Sequence, residues 1–149
     1  MRDSRRAVAA REAAIRRWLP TVLVSAGVLL MPWIAVLVMS VKGRFGARNL
    51  SNSWVWLDVI EIAALFLLAW LVRRRHRATS PLASASAVLL GLDAFFDLWS
   101  AHRGSDYELA QALAYFAELP SAAVLAGLSW YSLAWAAADD VALASRRGT

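Results

Sequence analysis

Five carboxylates interrupt stretches that are otherwise apolar. Asp58 and Glu61 lie in WVWLDVIEIAALFLLAWLV, Asp93 and Asp97 in PLASASAVLLGLDAFFDLWSA, and Glu118 in LAYFAELPSAAVLAGLSWYSLAW, and none of these stretches holds a Lys or Arg. Carboxylates grouped in this way can hold a cation, relay protons or act as a general acid and base. Their spacing favours grouping: Asp58 and Glu61 are three apart and Asp93 and Asp97 four apart, so each pair shares a helical face. On the last stretch Gln111, Tyr115, Glu118 and Ala122 form a stripe, with Ser121 at its edge. Like charges one turn apart repel, so the group needs a counter-charge, a bound cation or retained protons. A carboxylate at the centre of a bilayer costs about 2.5–3.5 kcal/mol on insertion scales, which makes five of them hard to explain without a role.

The structural alternative is a protonated carboxyl that bonds between helices, worth about 0.6–2 kcal/mol. It accounts for one or two acids more easily than for five. Glu61, Asp93 and Glu118 lie deepest and lead the candidates for cation or proton binding. Asp58 and Asp97 follow, nearer to water, and His102, Tyr115 and Gln111 are supporting residues. His102 stands five residues beyond Asp97, within range to act as a ligand or proton relay, and Lys42, Arg44, Arg48 and Arg103 are nearby loop cations. An all-oxygen donor set suits Ca²⁺, Mg²⁺ or Mn²⁺ better than Zn²⁺. The chain has no Cys, which excludes disulfides, thiolate metal sites and thiol nucleophiles.

The elements that must carry these residues read as membrane helices. Of 149 residues 60% are hydrophobic, above the usual half of a soluble domain. Four apolar runs of about 19 residues or more suffice to cross a hydrocarbon core. The expected spans are 19–41, 54–72, 82–100, and a fourth that begins between 109 and 116 and ends near 137. The first is too long for a typical signal-peptide core and lacks a convincing cleavage site after it, so it reads as an uncleaved helix. The fold class is therefore all-α, a single membrane domain built as a four-helix antiparallel bundle. Residues 1–18 form a short basic juxtamembrane helix on the anionic leaflet, and residues 138–149 form a cytoplasmic tail.

Charge sets the expected orientation. Twelve basic residues fall on one side: Arg2, Arg5, Arg6, Arg11, Arg16, Arg17, Arg73, Arg74, Arg75, Arg77, Arg146 and Arg147. Four fall on the other: Lys42, Arg44, Arg48 and Arg103. The positive-inside rule then places both termini in the cytoplasm and all five acids in the outer half of the membrane. The net charge of +5 follows from these flanks and gives no reason to expect nucleic-acid binding. Trp54, Trp56 and Trp99 fall at the outer border and Trp18, Trp70 and Trp135 at the inner one, as interfacial anchors do.

Small residues suggest how helices close on each other or on a second copy. Ala83, Ala87 and Gly91 repeat every four residues, as do Ala123 and Gly127, and such faces permit close packing or a homo-oligomer. Pro32 and Pro120 are expected to kink their helices, and Pro120 stands two residues after Glu118.

DVIE on the second span, LDAFFD on the third and ELP on the fourth resemble a group of small four-helix integral membrane proteins of actinobacteria. The resemblance covers about residues 54–137, and the Ala- and Arg-rich composition suits a high-GC genome. It implies the four-helix architecture and a bacterial plasma (inner) membrane location, and implies no activity. Three function classes remain. The first is binding or conduction of a cation or protons. The second is a membrane-embedded enzyme acting on a lipid or isoprenoid. The third is a structural or accessory subunit of a membrane complex. For the second, DAFFD is superficially similar to the Asp-rich diphosphate motif of prenyl-chain enzymes but lacks its adjacent second Asp.

Overall fold

The computed structural model describes residues 2–40, 48–101 and 104–147, all helical apart from short connections. The helices are α1 (Arg2–Ser40), α2 (Arg48–Arg74), α3 (Thr79–Ser100), α4 (Ser105–Leu113) and α5 (Leu119–Arg147). A π-helical turn, Ala114–Glu118, joins α4 to α5. No strand occurs among the described residues. Lys42, Arg44, His102 and Arg103 lie outside the described residues.

Among the described residues, four stretches are long and apolar enough to cross a membrane: Ala9–Pro32, Val55–Arg74, Thr79–Trp99 and Tyr107–Trp135. The last runs through α4, the π turn and α5. All four leave large apolar side chains on their outer surfaces, among them Val22, Leu29, Ile60, Leu67, Val88, Phe95, Phe116 and Leu133. A soluble monomer rarely exposes contiguous apolar surface beyond a few hundred Å². Here lipid tails are the natural cover.

The chain divides into two compact units, Met1–Arg75 and His76–Thr149. In the first, α1 packs on α2. Glu12 binds Arg75 through Oε1 and Nε at 2.8 Å, and the Arg16 Nη2 donates to the Arg73 carbonyl at 3.1 Å. Further along, Gly27 meets Phe66. As numbers rise along α1 their partners' numbers fall along α2, so these two helices run in opposite directions. A Cβ on Gly27 would stand 3.2 Å from the Phe66 ring, so this glycine is what lets the ring sit against the backbone. The buried positions of α2 include Asp58, Glu61, Ala64, Leu65, Leu68, Ala69 and Val72, the three- and four-residue spacing of one helical face. α2 stops because Arg75 adopts a left-handed conformation, φ 53°, and turns its N–H onto the Val72 carbonyl at 3.1 Å.

The basic N-terminal stretch and the first span are one helix. α1 runs unbroken from Arg2, through Pro20 and Pro32, to Ser40. Its residues 12 and 16 pack on the end of α2, so this part of the stretch is not a separate element lying flat beside the span.

In the second unit α3 packs on α5. α3 begins where the Thr79 hydroxyl and N–H both donate to the His76 carbonyl, at 2.7 and 2.9 Å. Pro81 falls in the first turn, where its missing N–H costs nothing. The buried face of α3 is Thr79, Ser80, Ala83, Ser86, Leu90, Asp93 and Ala94. That of α5 is Leu125, Leu128, Ser132 and Trp135. Ser80 and Ser129 pair through their hydroxyls at 3.3 Å, fixing one end. The other end is closed by the stretch that carries Glu118. α4 starts at Gly104, whose φ of 125° suits only glycine and whose carbonyl accepts the N–H groups of Tyr107 and Glu108.

The small-residue stripes contribute unequally to this packing. Ala83 is fully buried, but a Cβ on Gly91 or Gly127 would meet nothing within 4 Å among the described residues. Trp135 is also placed differently from an interfacial anchor: it is buried, with its ring edge-on to Tyr131 at 6.0 Å. Trp18, Trp56, Trp70 and Trp99 are exposed.

Candidate functional site

Within the second unit, Asp93, Asp97 and Glu118 converge. Each offers a carboxylate oxygen, and the three oxygens lie within 4.8 Å of one another. Asp93 is buried, and Asp97 and Glu118 are half-buried. α3 supplies the first two from one face, four residues apart. Glu118 comes from the end of the π turn.

That turn has a local cause. Pro120 has no N–H to give the Phe116 carbonyl, and in a regular α-helix its ring would clash with that carbonyl. The backbone widens instead: the Leu119 N–H reaches the Ala114 carbonyl, five residues back. The expected kink at Pro120 thus takes the form of one wide turn. It keeps Ala110, Ala114 and Glu118, each four apart, on the inner side; both alanines are buried. Tyr115 faces outward at 56% exposure, while Gln111 is half-buried. A regular helical stripe would have joined Tyr115 to Glu118, and the wide turn separates them.

The electrostatics of the triad are severe. Two unit charges about 4.8 Å apart repel by about 3–4 kcal/mol at an effective dielectric of about 20. Three such pairs exceed what a small membrane domain can carry unaided. A counter-charge, shared protons or a bound cation must offset it. Three carboxylates supply only oxygen donors, which suits a hard divalent ion completing its shell with water or carbonyls.

In the first unit Asp58 and Glu61 are both buried, with carboxylate oxygens within 4.8 Å of each other. They sit one turn apart on the inner face of α2. All five sequence candidates thus turn from the surface in some degree, though α2 and α3 also have wide exposed faces. His102 lies outside the described residues.

The structure adds polar groups that a search for ionisable residues passes over. Thr79, Ser80, Ser86 and Ser132 are all buried on the inner faces of α3 and α5. Their signal in the sequence is the three- and four-residue spacing Thr79, Ala83, Ser86, Leu90, Asp93, which puts hydroxyls and acid on one face. No known protein family, curated protein or solved structure matches this chain.

Proposed function

We propose that this is a multi-pass membrane protein whose intramembrane carboxylates bind or conduct a cation or protons. The observation that carries the reading is the convergence of Asp93, Asp97 and Glu118, with oxygens within 4.8 Å, inside a helical unit whose outer surface is apolar. Ionisable residues in membrane spans are rare because they are costly, and those that persist mark ion or proton sites. Asp58 and Glu61 are a second carboxylate pair of the same kind. Gln111 and His102 are proposed as supporting groups. The ligand is a hard divalent cation, Ca²⁺, Mg²⁺ or Mn²⁺, or protons.

The chain is placed in a bacterial plasma membrane on its resemblance to the small actinobacterial proteins. Both termini are assigned to the cytoplasm, in a four-helix antiparallel bundle, on the twelve-to-four division of basic residues. The acids then open to the outer side. Self-association through the open faces at Gly91 and Gly127 is the proposed oligomeric contact.

The test is thermal unfolding of the detergent-purified protein, first with chelator and then with each of Ca²⁺, Mg²⁺, Mn²⁺ and Zn²⁺. A rise in Tm selective for one hard cation, lost in Asp93→Asn and in Glu118→Gln, is expected for a cation site. A cation at a hundredfold its Kd stabilises by about 2.7 kcal/mol, which is readily measured. If no cation acts, proton uptake into liposomes decides. Transport lost in the same variants supports the proton form, and wild-type protein that neither binds nor transports leaves the acids a structural role.

A further inference from the structure

At one end of the first unit, two contacts lock α1 to α2: Glu12 to Arg75 at 2.8 Å, and Arg16 to the Arg73 carbonyl at 3.1 Å. With residue 16 level with 73 and the helices running oppositely, Trp18 comes level with residue 71. Trp18 and Trp70 therefore stand at the same end of the pair, within about one helical turn of each other in depth, roughly 5 Å. Both rings are exposed, at 63% and 50%. Each carries an arginine: Arg17 lies 5.6 Å from the Trp18 centroid and Arg74 lies 5.5 Å from that of Trp70.

A guanidinium resting on a ring face keeps its fork of donors while losing less freedom when it binds an anion. Glu12, the acid among the described side chains at this end, is already engaged by Arg75. Behind the rings, one turn further in, Val22 and Leu67 are exposed. On each helix the order along the surface is cation, aromatic ring, aliphatic side chain. A phospholipid has the matching order: phosphate, polar backbone, acyl chain.

We propose that the arginine end of the first unit is a binding surface for anionic phospholipid headgroups, with Arg17 and Arg74 taking the phosphates and Trp18 and Trp70 setting their depth. Arginine matches phosphate oxygens in a bidentate fashion, and tryptophan rings settle at headgroup level. The proposal needs the helices to cross a bilayer but is independent of the carboxylates. Failure of the cation experiment leaves it intact, and the reverse also holds.

The experiment counts lipids bound to the full chain by native mass spectrometry, titrating phosphatidylglycerol against phosphatidylcholine. Wild-type protein is expected to prefer phosphatidylglycerol, and the Arg17→Gln/Arg74→Gln variant to lose about tenfold or more of that preference. The Arg146→Gln/Arg147→Gln variant removes the same charge elsewhere and is expected to keep it. Each variant still has ten basic residues against four, so orientation is preserved. Trp18→Leu/Trp70→Leu retains every charge and is expected to weaken the preference several-fold, which keeps the test open if the arginine variant does not fold. Equal binding of the two lipids by wild-type protein would overturn the proposal. So would an equal loss in the tail variant, which would mean diffuse attraction. Displacement of the lipid by inorganic phosphate at millimolar concentration would show a free-phosphate site instead.

Discussion

At the residue scale, hydroxyls buried along α3 differ in what they contribute. Ser80 shares a 3.3 Å hydroxyl contact with Ser129, while the Ser86 hydroxyl oxygen has no hydrogen-bond partner among the described residues. Interhelical hydrogen bonds inside membranes average about 0.6 kcal/mol and reach about 1.7. Ser80→Ala should therefore lower stability by about 0.5–1.5 kcal/mol. Ser86→Ala removes a buried polar atom that no described residue satisfies and installs a better helix former, so it should be neutral or raise stability by about 0.5–1 kcal/mol. Thermal unfolding of both variants in one detergent tests the contrast. A loss in Ser86→Ala as large as in Ser80→Ala would show that both hydroxyls are bonded alike.

At the scale of elements, glycines and prolines act by what they leave out. Gly27→Val would push a side chain into the Phe66 ring, 3.2 Å from where the Cβ must go, and should cost about 1–3 kcal/mol in the α1–α2 pair. Gly91→Ala enters open space and should gain up to about 1 kcal/mol from helix propensity alone. Unfolding temperatures that move in opposite directions would verify the pair. Pro120→Ala restores the N–H that the Phe116 carbonyl lacks and removes the reason for the wide turn. The expected result is a more stable helix with a weaker cation or proton response, because residues up to Glu118 rotate relative to α5. Amide exchange across residues 114–120, read beside the Tm series, measures both effects. A fully retained response would mean that the turn does not set the aim of Glu118.

At the scale of the whole molecule, the proposed orientation rests on the uneven division of basic residues. With twelve on one side and four on the other, a fluorescent protein fused after Thr149 should fluoresce in cells, and alkaline phosphatase fused there should be inactive. The reverse pair of results would invert the proposed orientation and put the acids in the inner half. The exposed apolar surface of all four spans fits lipid as solvent, and the fold then depends on packing and polar contacts more than on a hydrophobic drive between helices.

Much of this was legible in the chain because a bilayer imposes coarse rules. Length and apolarity mark four spans, and charge at their borders is visible without coordinates. Helical spacing also paired Asp58 with Glu61 and Asp93 with Asp97, since neighbours three or four apart share a face wherever the helix is regular. Tertiary structure decided the rest. It brought Glu118 to Asp93 and Asp97, because Pro120 widens the turn before it, and the same turn moved Tyr115 outward, against the regular stripe. It buried Trp135 beside Tyr131, although sequence position suggested an interface. It also made Gly27, rather than Gly91 or Gly127, the glycine of close approach. Periodicity specifies which residues share a face, but the face a neighbour covers depends on contacts made at a distance along the chain.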